Sequence, residues 1–436
     1  MNKEIAVKKN IAIKAFRAIY VVLICIILLL IYIFGRARNS YIYWGINQSV
    51  AQQLNKQPNE LTSDDFKKIE TISIYKSSCP NLKHLKNLPK LKYLHLDNQS
   101  KPLDSPPAWI TMVRNFLRIN TNNQLELFDL KPLKKLKKLE SLVIYSPDFS
   151  NIKPLAKLKN LKAISLRSST GSPIKDISPL LSLKNLQFLD IERLENNQIN
   201  SLSKLTNLQE LSIRISSVAI DISFITSLKN LQKLTLDGSI ADITPLSKLS
   251  KLQTLELYNG IYTDISPLSE LKNLQQLSLF SSVINDVSFL TELKNLEYLS
   301  LDLSGLKDVT PLAKLINLQY LHLDASNIKD ITPLSQLKNL NILNIAHLHV
   351  NDISPLAELK NLRELFLSDS GISDIKPLEG LINLQHIYLW NTNIKDISPL
   401  KGLINLKRLE FQNCKSITDE QIQDLQKSLP ELKIKR

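Results

Sequence analysis

The stretch DISPLSELKNLQQLSL, residues 264–279, recurs in close copies along most of the chain. Its second half alternates apolar and polar residues, as in Leu277-Ser278-Leu279, which is the period of a half-buried strand. The copies return every 22 residues after one interval of 21, starting at Leu231, Leu252, Leu274, Leu296, Leu318, Leu340, Leu362, Leu384 and Leu406. Because so short a period leaves no room for a long crossover helix, we predict that successive strands stack in parallel as a solenoid.

The first half of the stretch supplies the return path between strands. Asp264 or Ser266 is suited to cap free backbone N–H groups, and Pro267 suits the first position of a tight turn because it has no donor to lose. Leu268 then points back to the core. Asn273 is predicted to close the corner by bonding nearby backbone with its side chain.

These residues resemble the leucine-rich repeat family, specifically its bacterial internalin-like subclass. The order of leucines, the D-I-x-P-L turn and the terminal asparagine are similar over about residues 60–436. The resemblance implies an α/β solenoid: a curved array with a parallel concave sheet, short 3-10 helices or turns on the convex side, and helical end caps. The chain departs from the family's asparagine ladder, where it mostly has Ser77, Ser169, Ser216, Ser239, Ser282, Ser304, Ser326, Ser370, Thr392 and Cys414.

The ends of the array differ from its repeats. The segment LTSDDFKKIE begins like a capping helix, so we assign an N-terminal cap to residues 59–68 and about sixteen repeats to 69–416. Residues 417–436 are the predicted C-terminal cap, in which Thr418 or Asp419 starts a helix. Residues 36–58 are assigned to a juxtamembrane linker.

An uncharged apolar run near the N-terminus predicts a transmembrane signal-anchor at residues 19–35. Positive charge is heavier before this run than after it, which predicts a cytoplasmic tail at 1–18 and repeats on the periplasmic or extracellular side of a single-pass membrane protein. A cleaved signal peptide is the alternative, because Gly35 and Ala37 are small residues at the two positions that a signal peptidase recognises.

Composition and motifs argue against an enzyme. The net charge of +14 is spread over lysines along the repeats, among them those of the recurring LKN corner, without a nucleic-acid reading element. The chain has no phosphate-cradling glycine loop or nucleophile elbow, and its histidines lack metal-ligand spacing. We therefore predict no catalytic residue, cofactor, metal or nucleic-acid partner. A weak hydrolase built on Asp302 and Asp324, in one column of neighbouring coils, is the remaining catalytic hypothesis.

Scarce aromatic residues gather at outward-facing strand positions, where they predict a concave recognition surface. Tyr and Trp on such a surface are typical anchors for protein partners or stacking platforms for glycans. The predicted partner-binding residues are Tyr258, Phe280, Tyr298, Tyr320, His322, Phe366, His386, Tyr388 and Trp390. Phe366, Tyr388 and Trp390 form the predicted hot spot.

The sequence thus predicts a non-catalytic, membrane-anchored binding module for a protein, or for a glycan. Two alternatives stay open at this stage. One is an intracellular regulatory scaffold, because 22-residue repeats also resemble phosphatase-regulatory proteins. The other is a structural envelope spacer without a ligand.

Overall fold

Short parallel strands, one in each repeat, form the framework of the chain. The computed structural model describes residues 49–75, 82–97, 129–145, 151–168, 174–215, 220–281, 283–324 and 327–436. The chain divides into two compact units, Met1–Ser172 and Pro173–Arg436. In the first unit the described strands pair in parallel in chain order: β1 (Thr71–Tyr75), β2 (Tyr93–Asp97), β3 (Ser141–Tyr145) and β4 (Ala163–Arg167).

The second unit repeats the same arrangement over a longer stack. Each described strand pairs in parallel with the next one in the chain. The strands are β5 (Phe188–Glu192), β6 (Glu210–Arg214), β7 (Lys233–Asp237), β8 (Thr254–Tyr258), β9 (Gln276–Phe280), β10 (Tyr298–Asp302), β11 (Tyr320–Asp324), β12 (Ile342–Asn344), β13 (Glu364–Phe366), β14 (His386–Tyr388), β15 (Arg408–Glu410) and β16 (Lys433–Lys435). The predicted parallel solenoid is confirmed.

Alternation along each strand separates the core from the surface. In β9, Leu277 and Leu279 are fully buried, whereas Gln276 and Phe280 face outward. The parallel register keeps this alternation from coil to coil, since Leu277 pairs with Leu299 of β10. Leucine columns therefore stack on one another, and each coil buries the apolar face of the next.

The return path is a 3-10 helix in nearly every coil. In the coil of Ser266–Glu270 the N-cap residue is Ile265, and Asp264 Oδ1 accepts a hydrogen bond from the Ser266 backbone N–H at 2.9 Å. The described 3-10 helices are Pro58–Glu60, Leu82–Asn87, Lys131–Lys135, Lys153–Lys157, Asn200–Lys204, Ser223–Ser227, Thr244–Lys248, Ser266–Glu270, Ser288–Glu292, Thr310–Lys314, Thr332–Gln336, Ser354–Glu358, Lys376–Leu378 and Ser398–Gly402.

The asparagine of the LKN corner links neighbouring coils. Asn295 Nδ2 donates to the Lys272 carbonyl at 2.9 Å, and Asn317 Nδ2 donates to the Lys294 carbonyl at the same distance. The predicted bond from this asparagine to the backbone is present, and its acceptor lies in the preceding coil. The stacked geometry brings that carbonyl, otherwise free at the corner, within reach of the amide.

Two hydroxyls of the column that departs from the family's ladder donate to carbonyls of their own coil. Ser370 Oγ donates to the Leu367 carbonyl at 2.6 Å, and Thr392 Oγ1 donates to the Leu389 carbonyl at 2.8 Å. Cys414 is the exception, since its Sγ also reaches the Leu389 carbonyl at 3.0 Å from the following coil. Side chains outside this column also bond between coils, as Asn391 Nδ2 does to Asp369 Oδ1 and Asn413 Nδ2 does to Asn391 Oδ1.

Short α-helices lie at both ends of the described chain and at two positions between strands. They are α1 (Ser63–Phe66), α2 (Ser178–Leu181), α3 (Asn196–Ile199) and α4 (Asp419–Ser428). The Thr62 hydroxyl caps α1, and the Thr418 hydroxyl caps α4 by accepting the Gln421 backbone N–H at 3.3 Å. Helix α4 packs through Leu425, which is fully buried.

The predicted single-pass membrane localisation is corrected by the structure. Crossing a bilayer takes about 20 apolar residues in a helix, whereas the longest helix that the structure describes, α4, has 10 residues. No helix in the described ranges has the length and apolar character of a membrane span. The segment 19–35, together with the tail 1–18, lies outside the described residues.

Candidate functional site

Outward-facing strand residues of the second unit form one continuous surface, which we call the sheet face. In the five-residue strands three side chains point outward, as Tyr298, Ser300 and Asp302 do in β10. The register stacks these positions into three columns, because Tyr298 pairs with Tyr320, Ser300 with His322 and Asp302 with Asp324. Neighbouring members of a column are separated by about 4.8 Å, the spacing of paired strands.

The aromatic residues of the sheet face form stacked pairs between adjacent coils. Tyr298 and Tyr320 stack in the first column with ring centroids 4.2 Å apart and planes 7° from parallel. Tyr258 and Phe280 stack in the third column at 4.7 Å. The strand register therefore stacks the two rings of each pair against each other and restricts their motion in the free protein.

A third pair carries the predicted hot spot. Phe366 and Tyr388 stack in the second column at 4.4 Å with planes 3° from parallel. Trp390 meets Tyr388 edge to face at 6.3 Å. The Ser368 hydroxyl accepts the Trp390 backbone N–H at 3.1 Å and holds this end of the strand in place. The three predicted residues thus form one contiguous aromatic cluster.

All nine predicted partner-binding residues lie on the sheet face, but the structure divides them into two groups. The upstream group, on β8–β11, contains Tyr258, Phe280, Tyr298, Tyr320 and His322. The downstream group, on β13–β14 and the residues just beyond, contains Phe366, His386, Tyr388 and Trp390. Strand β12, which presents Ile342 and Asn344, lies between the groups.

The two histidines sit beside carboxylates. His322 Nε2 lies 4.0 Å from Asp324 Oδ2, and burial lowers the pKa of the His322 imidazole. His386 Nδ1 lies 3.4 Å from Glu364 Oε1. Among the described residues no three His, Cys, Asp or Glu side chains are arranged to hold a metal ion.

Two serine hydroxyls that lie among the aromatic residues of the upstream group were not predicted from the sequence. Ser278 and Ser300 occupy the second column and are buried, at 8% and 4% exposure. They lie between the first-column pair of Tyr298 and Tyr320 and the third-column pair of Tyr258 and Phe280. Each serine is two residues from an aromatic position in the sequence. This spacing indicates a shared site only when the columns of neighbouring strands are aligned.

Asp302 and Asp324, the pair considered for hydrolysis, stack in register in the third column. Burial, followed by the charge of Asp324, raises the pKa of the Asp302 carboxyl. Among the described residues Asp302 makes no hydrogen bond or ion pair through its side chain. The two carboxylates stand side by side on a flat column instead of facing each other across a cleft, and this arrangement does not match the opposed acids of a glycosidase.

One groove of the second unit lies away from the strand positions of the sheet face. It encloses about 810 Å³ along the LKN corner and is lined by amide side chains such as Asn273, Gln275, Asn295 and Gln319. The asparagine amides in it already donate to carbonyls of the preceding coil. We therefore assign this groove to the scaffold.

Comparison with known proteins agrees with this architecture. A family model described as Leucine Rich repeats (2 copies) matches residues 360–402 and 382–427. The crystal structure of an internalin, inlF of Listeria monocytogenes, is 23% identical with a TM-score of 0.52, covering 90% of this chain and 94% of that one. The chain is an internalin-like leucine-rich repeat protein.

Two further solved structures are similar to this chain or to part of it. A leucine-rich repeat protein of Leptospira interrogans is 19% identical with a TM-score of 0.58, over 86% of this internalin-like chain and 97% of its own. Internalin C2 of Listeria monocytogenes is 35% identical with a TM-score of 0.41, over 44% of this chain and 91% of its own. No curated protein matches the sequence. The first two similarities concern the fold, so the function has to be argued from the sheet face itself.

Proposed function

We propose that this internalin-like protein is a non-catalytic binding module that docks a protein partner on its sheet face. The observation that carries the proposal is the set of stacked aromatic pairs, held on strands whose inward leucines are fully buried. Aromatic side chains that are already ordered lose little conformational entropy on association, so their contact area converts efficiently into affinity.

The downstream group is the proposed anchor. Phe366, Tyr388 and Trp390 combine an apolar surface with an indole N–H, and the Trp390 Nε1 atom has no hydrogen-bond partner among the described residues. Trp and Tyr with these properties are the residue types most often found in binding hot spots.

Ring orientation favours a protein over a glycan as the partner. In the pairs Tyr298–Tyr320 and Phe366–Tyr388 the planes are nearly parallel and the centroids are about one strand spacing apart. The ring faces therefore point along the column toward adjacent coils, and the ring edges point outward. A sugar platform needs an open ring face, whereas edges and hydroxyls serve packing against a protein surface.

Photocrosslinking from the sheet face tests this proposal. A photoreactive phenylalanine analogue replaces Trp390 in one sample and Ile404, an exposed residue outside the sheet face, in the control. Irradiation in the native host, followed by mass spectrometry, is expected to give a discrete protein adduct from position 390 and none from position 404. Adducts of carbohydrate, or the same background from both positions, would contradict protein docking on this face.

A further inference from the structure

Exposed lysines cover two neighbouring turns of the first unit. The 3-10 helices Lys131–Lys135 and Lys153–Lys157 pack on each other and belong to successive coils, whose strands β3 and β4 pair in parallel. Residues 131–138 and 153–159 contain no aspartate or glutamate. The exposed lysines of these segments, which we call the turn patch, are Lys131, Lys134, Lys135, Lys137, Lys138, Lys153 and Lys157. The patch lies on turns and corners, and so does not include the strand positions that face outward.

The corresponding turns of the second unit neutralise their corner lysines. There the 3-10 helix Ser288–Glu292 ends in a glutamate, and Lys272 Nζ of the preceding corner lies 2.7 Å from Glu292 Oε2. Lys338 Nζ lies 2.7 Å from Glu358 Oε2 in the same arrangement. The repeat therefore provides a position, at the end of the 3-10 helix, from which one coil balances the charge of its neighbour.

Lysine replaces this glutamate in both turns of the patch. Their 3-10 helices end in Lys135 and Lys157, so Lys137 faces a lysine where Lys272 faces a glutamate. The Lys137 Nζ atom donates instead to the Lys157 carbonyl at 3.2 Å. Like charges on adjacent coils repel each other, so the solenoid itself gains nothing from this arrangement.

Successive turns that end in lysine distinguish the patch from the other described 3-10 helices. In the second unit Lys248 and Lys314 hold the same position singly, between helices that end in serine, glutamate or glutamine. A single lysine at a turn is an ordinary solvated residue, whereas two such turns in contact concentrate positive charge on one surface.

Acidic residues beside the patch leave this charge in place. Glu140 Oε2 binds Lys162 Nζ at 2.8 Å. The repeat's turn aspartate is replaced in the second of the two coils by Asn151, whose Oδ1 accepts the Lys153 backbone N–H at 3.1 Å. Among the described residues no aspartate or glutamate forms an ion pair with a lysine of the turn patch. The patch therefore presents its positive charge to solvent.

The residue types of the patch indicate the chemistry of its ligand. Lysine ammonium groups are compact point charges that bind phosphate, and they lack the planar fork with which arginine selects carboxylates. Residues 131–138 and 153–159 hold no arginine and no aromatic residue that could stack on a base or a sugar. No large apolar side chain is exposed in these two described segments, so the patch offers nothing to insert into a bilayer.

We propose that the turn patch binds a linear phosphate polymer, whose charges lie across the lysines of the two coils. Lys135 and Lys157, one coil apart, contact the phosphates together with Lys137. Binding offsets the repulsion between these lysines and releases counterions from the polymer, so the affinity depends strongly on salt. This site goes beyond the proposed protein docking, because it uses no residue of the sheet face.

Titration of the full chain into fluorescently labelled inorganic polyphosphate, followed by fluorescence anisotropy at several salt concentrations, tests the proposal. The test variant is Lys135→Glu/Lys157→Glu, which installs the residue type that the second unit has at Glu270 and Glu292. The control is Lys248→Glu/Lys314→Glu, which makes the same change of charge at the same repeat position but at single lysines.

We expect the affinity for polyphosphate to fall at least about tenfold in the test variant and to change less than about twofold in the control. The slope of log K against log salt should become shallower by about one for each phosphate contact that is lost. Thermal unfolding should show no loss of stability in the test variant, because a glutamate at 157 restores the partner of a corner lysine. A loss of binding is then separate from a loss of folding.

Three outcomes would overturn the proposal. Equal weakening in the test and control variants would show that polyphosphate responds only to net charge, and the absence of binding to the wild type would exclude the ligand. Vesicles of phosphatidylcholine and phosphatidylserine that bind more tightly than polyphosphate would assign the patch to a lipid surface. Polyglutamate of matched charge that binds as tightly as polyphosphate would show that the patch does not select phosphate.

Discussion

Asn273 reaches back one full coil, where its Nδ2 atom donates to the main-chain oxygen of Ser250 at 2.8 Å. The same bond recurs in successive coils, as in Asn339 to Ile316 and Asn361 to Lys338, each at 2.9 Å. The repeated stretch stabilises the array because each copy packs on its neighbours. Its leucines bury the apolar face of the next coil, and its asparagine donates a hydrogen bond to a corner carbonyl that the backbone ladder leaves without a partner.

Asn273→Ala is expected to lower the free energy of unfolding by about 1 kcal/mol, because the Ser250 carbonyl loses its partner at a partly covered corner. Urea unfolding followed by circular dichroism measures the change. The control is Gln275→Ala, an exposed amide two residues away that makes no side-chain hydrogen bond with the described chain. Equal effects of the two substitutions would show that the ladder bond adds nothing to stability.

Substitutions of Trp390 and of its neighbour Leu389 are expected to differ in their effect on stability, as a surface residue differs from a core residue. Leu389 is fully buried, so Leu389→Ala is expected to cost about 2–5 kcal/mol of stability. Trp390 is half-buried and touches Tyr388 edge to face, so Trp390→Ala should cost about 1 kcal/mol and mainly weaken partner binding. Chemical denaturation measures the free energy of unfolding of both variants. An equal loss of stability would show that Trp390 is a core residue and does not belong to the proposed recognition surface.

The fold was predictable from the sequence because a fixed period forces every leucine into one column. The site was predictable only in part. Outward positions follow from strand alternation, so the nine residues predicted to bind a partner could be placed on one face. Their division into stacked pairs depends on which of three columns each ring occupies. Asn273 illustrates the same limit, because its acceptor lies 23 residues earlier and no local rule points to it.

Tyr262 replaces the aliphatic residue that the next coil has at Ile284, and it is fully buried. Its hydroxyl has no hydrogen-bond partner among the described residues, and burial raises the pKa of the phenol well above its usual range. Tyr262→Phe should therefore stabilise the protein by about 1 kcal/mol, because it removes an unsatisfied buried group. Thermal unfolding of the variant tests this, and a loss of stability would reveal a bond that the hydroxyl makes in solution.

The ring of Tyr262 leaves no room for a side chain at Gly260, because a Cβ added at this position would lie 1.9 Å from the Tyr262 ring. Gly260→Ala is expected to destabilise the protein in the presence of Tyr262. In a Tyr262→Ile background, which restores the residue type of the next coil, most of that cost should disappear. A double-mutant cycle measures the coupling, and additive effects would show that the ring does not dictate the glycine.

The turn aspartates predict sensitivity to acid. At Asp264, Asp308 and Asp330 the hydroxyl and the backbone N–H of the residue two positions later lower the pKa of the carboxyl below its ordinary 3.8. A lowered pKa contributes stability that is present above pH 3.8 and is lost as the pH falls through the pKa of the folded state. Replacing all three by asparagine, which accepts the same backbone bond, should flatten stability between neutral and acidic pH in urea titrations. An unchanged slope would contradict the assignment.

Asp302 should behave in the opposite sense. Burial and the charge of Asp324 raise the pKa of this carboxyl, so its ionisation opposes folding, and the penalty appears as the pH rises above 3.8. Asp302→Asn is therefore expected to raise the midpoint of thermal unfolding at neutral pH, with a difference that vanishes in acid, where both side chains are uncharged. Asp264→Asn serves as the control, because its carboxyl has a lowered pKa and lies outside the sheet face. A loss of stability in Asp302→Asn at neutral pH would mean that the folded chain already compensates the charge of this carboxylate.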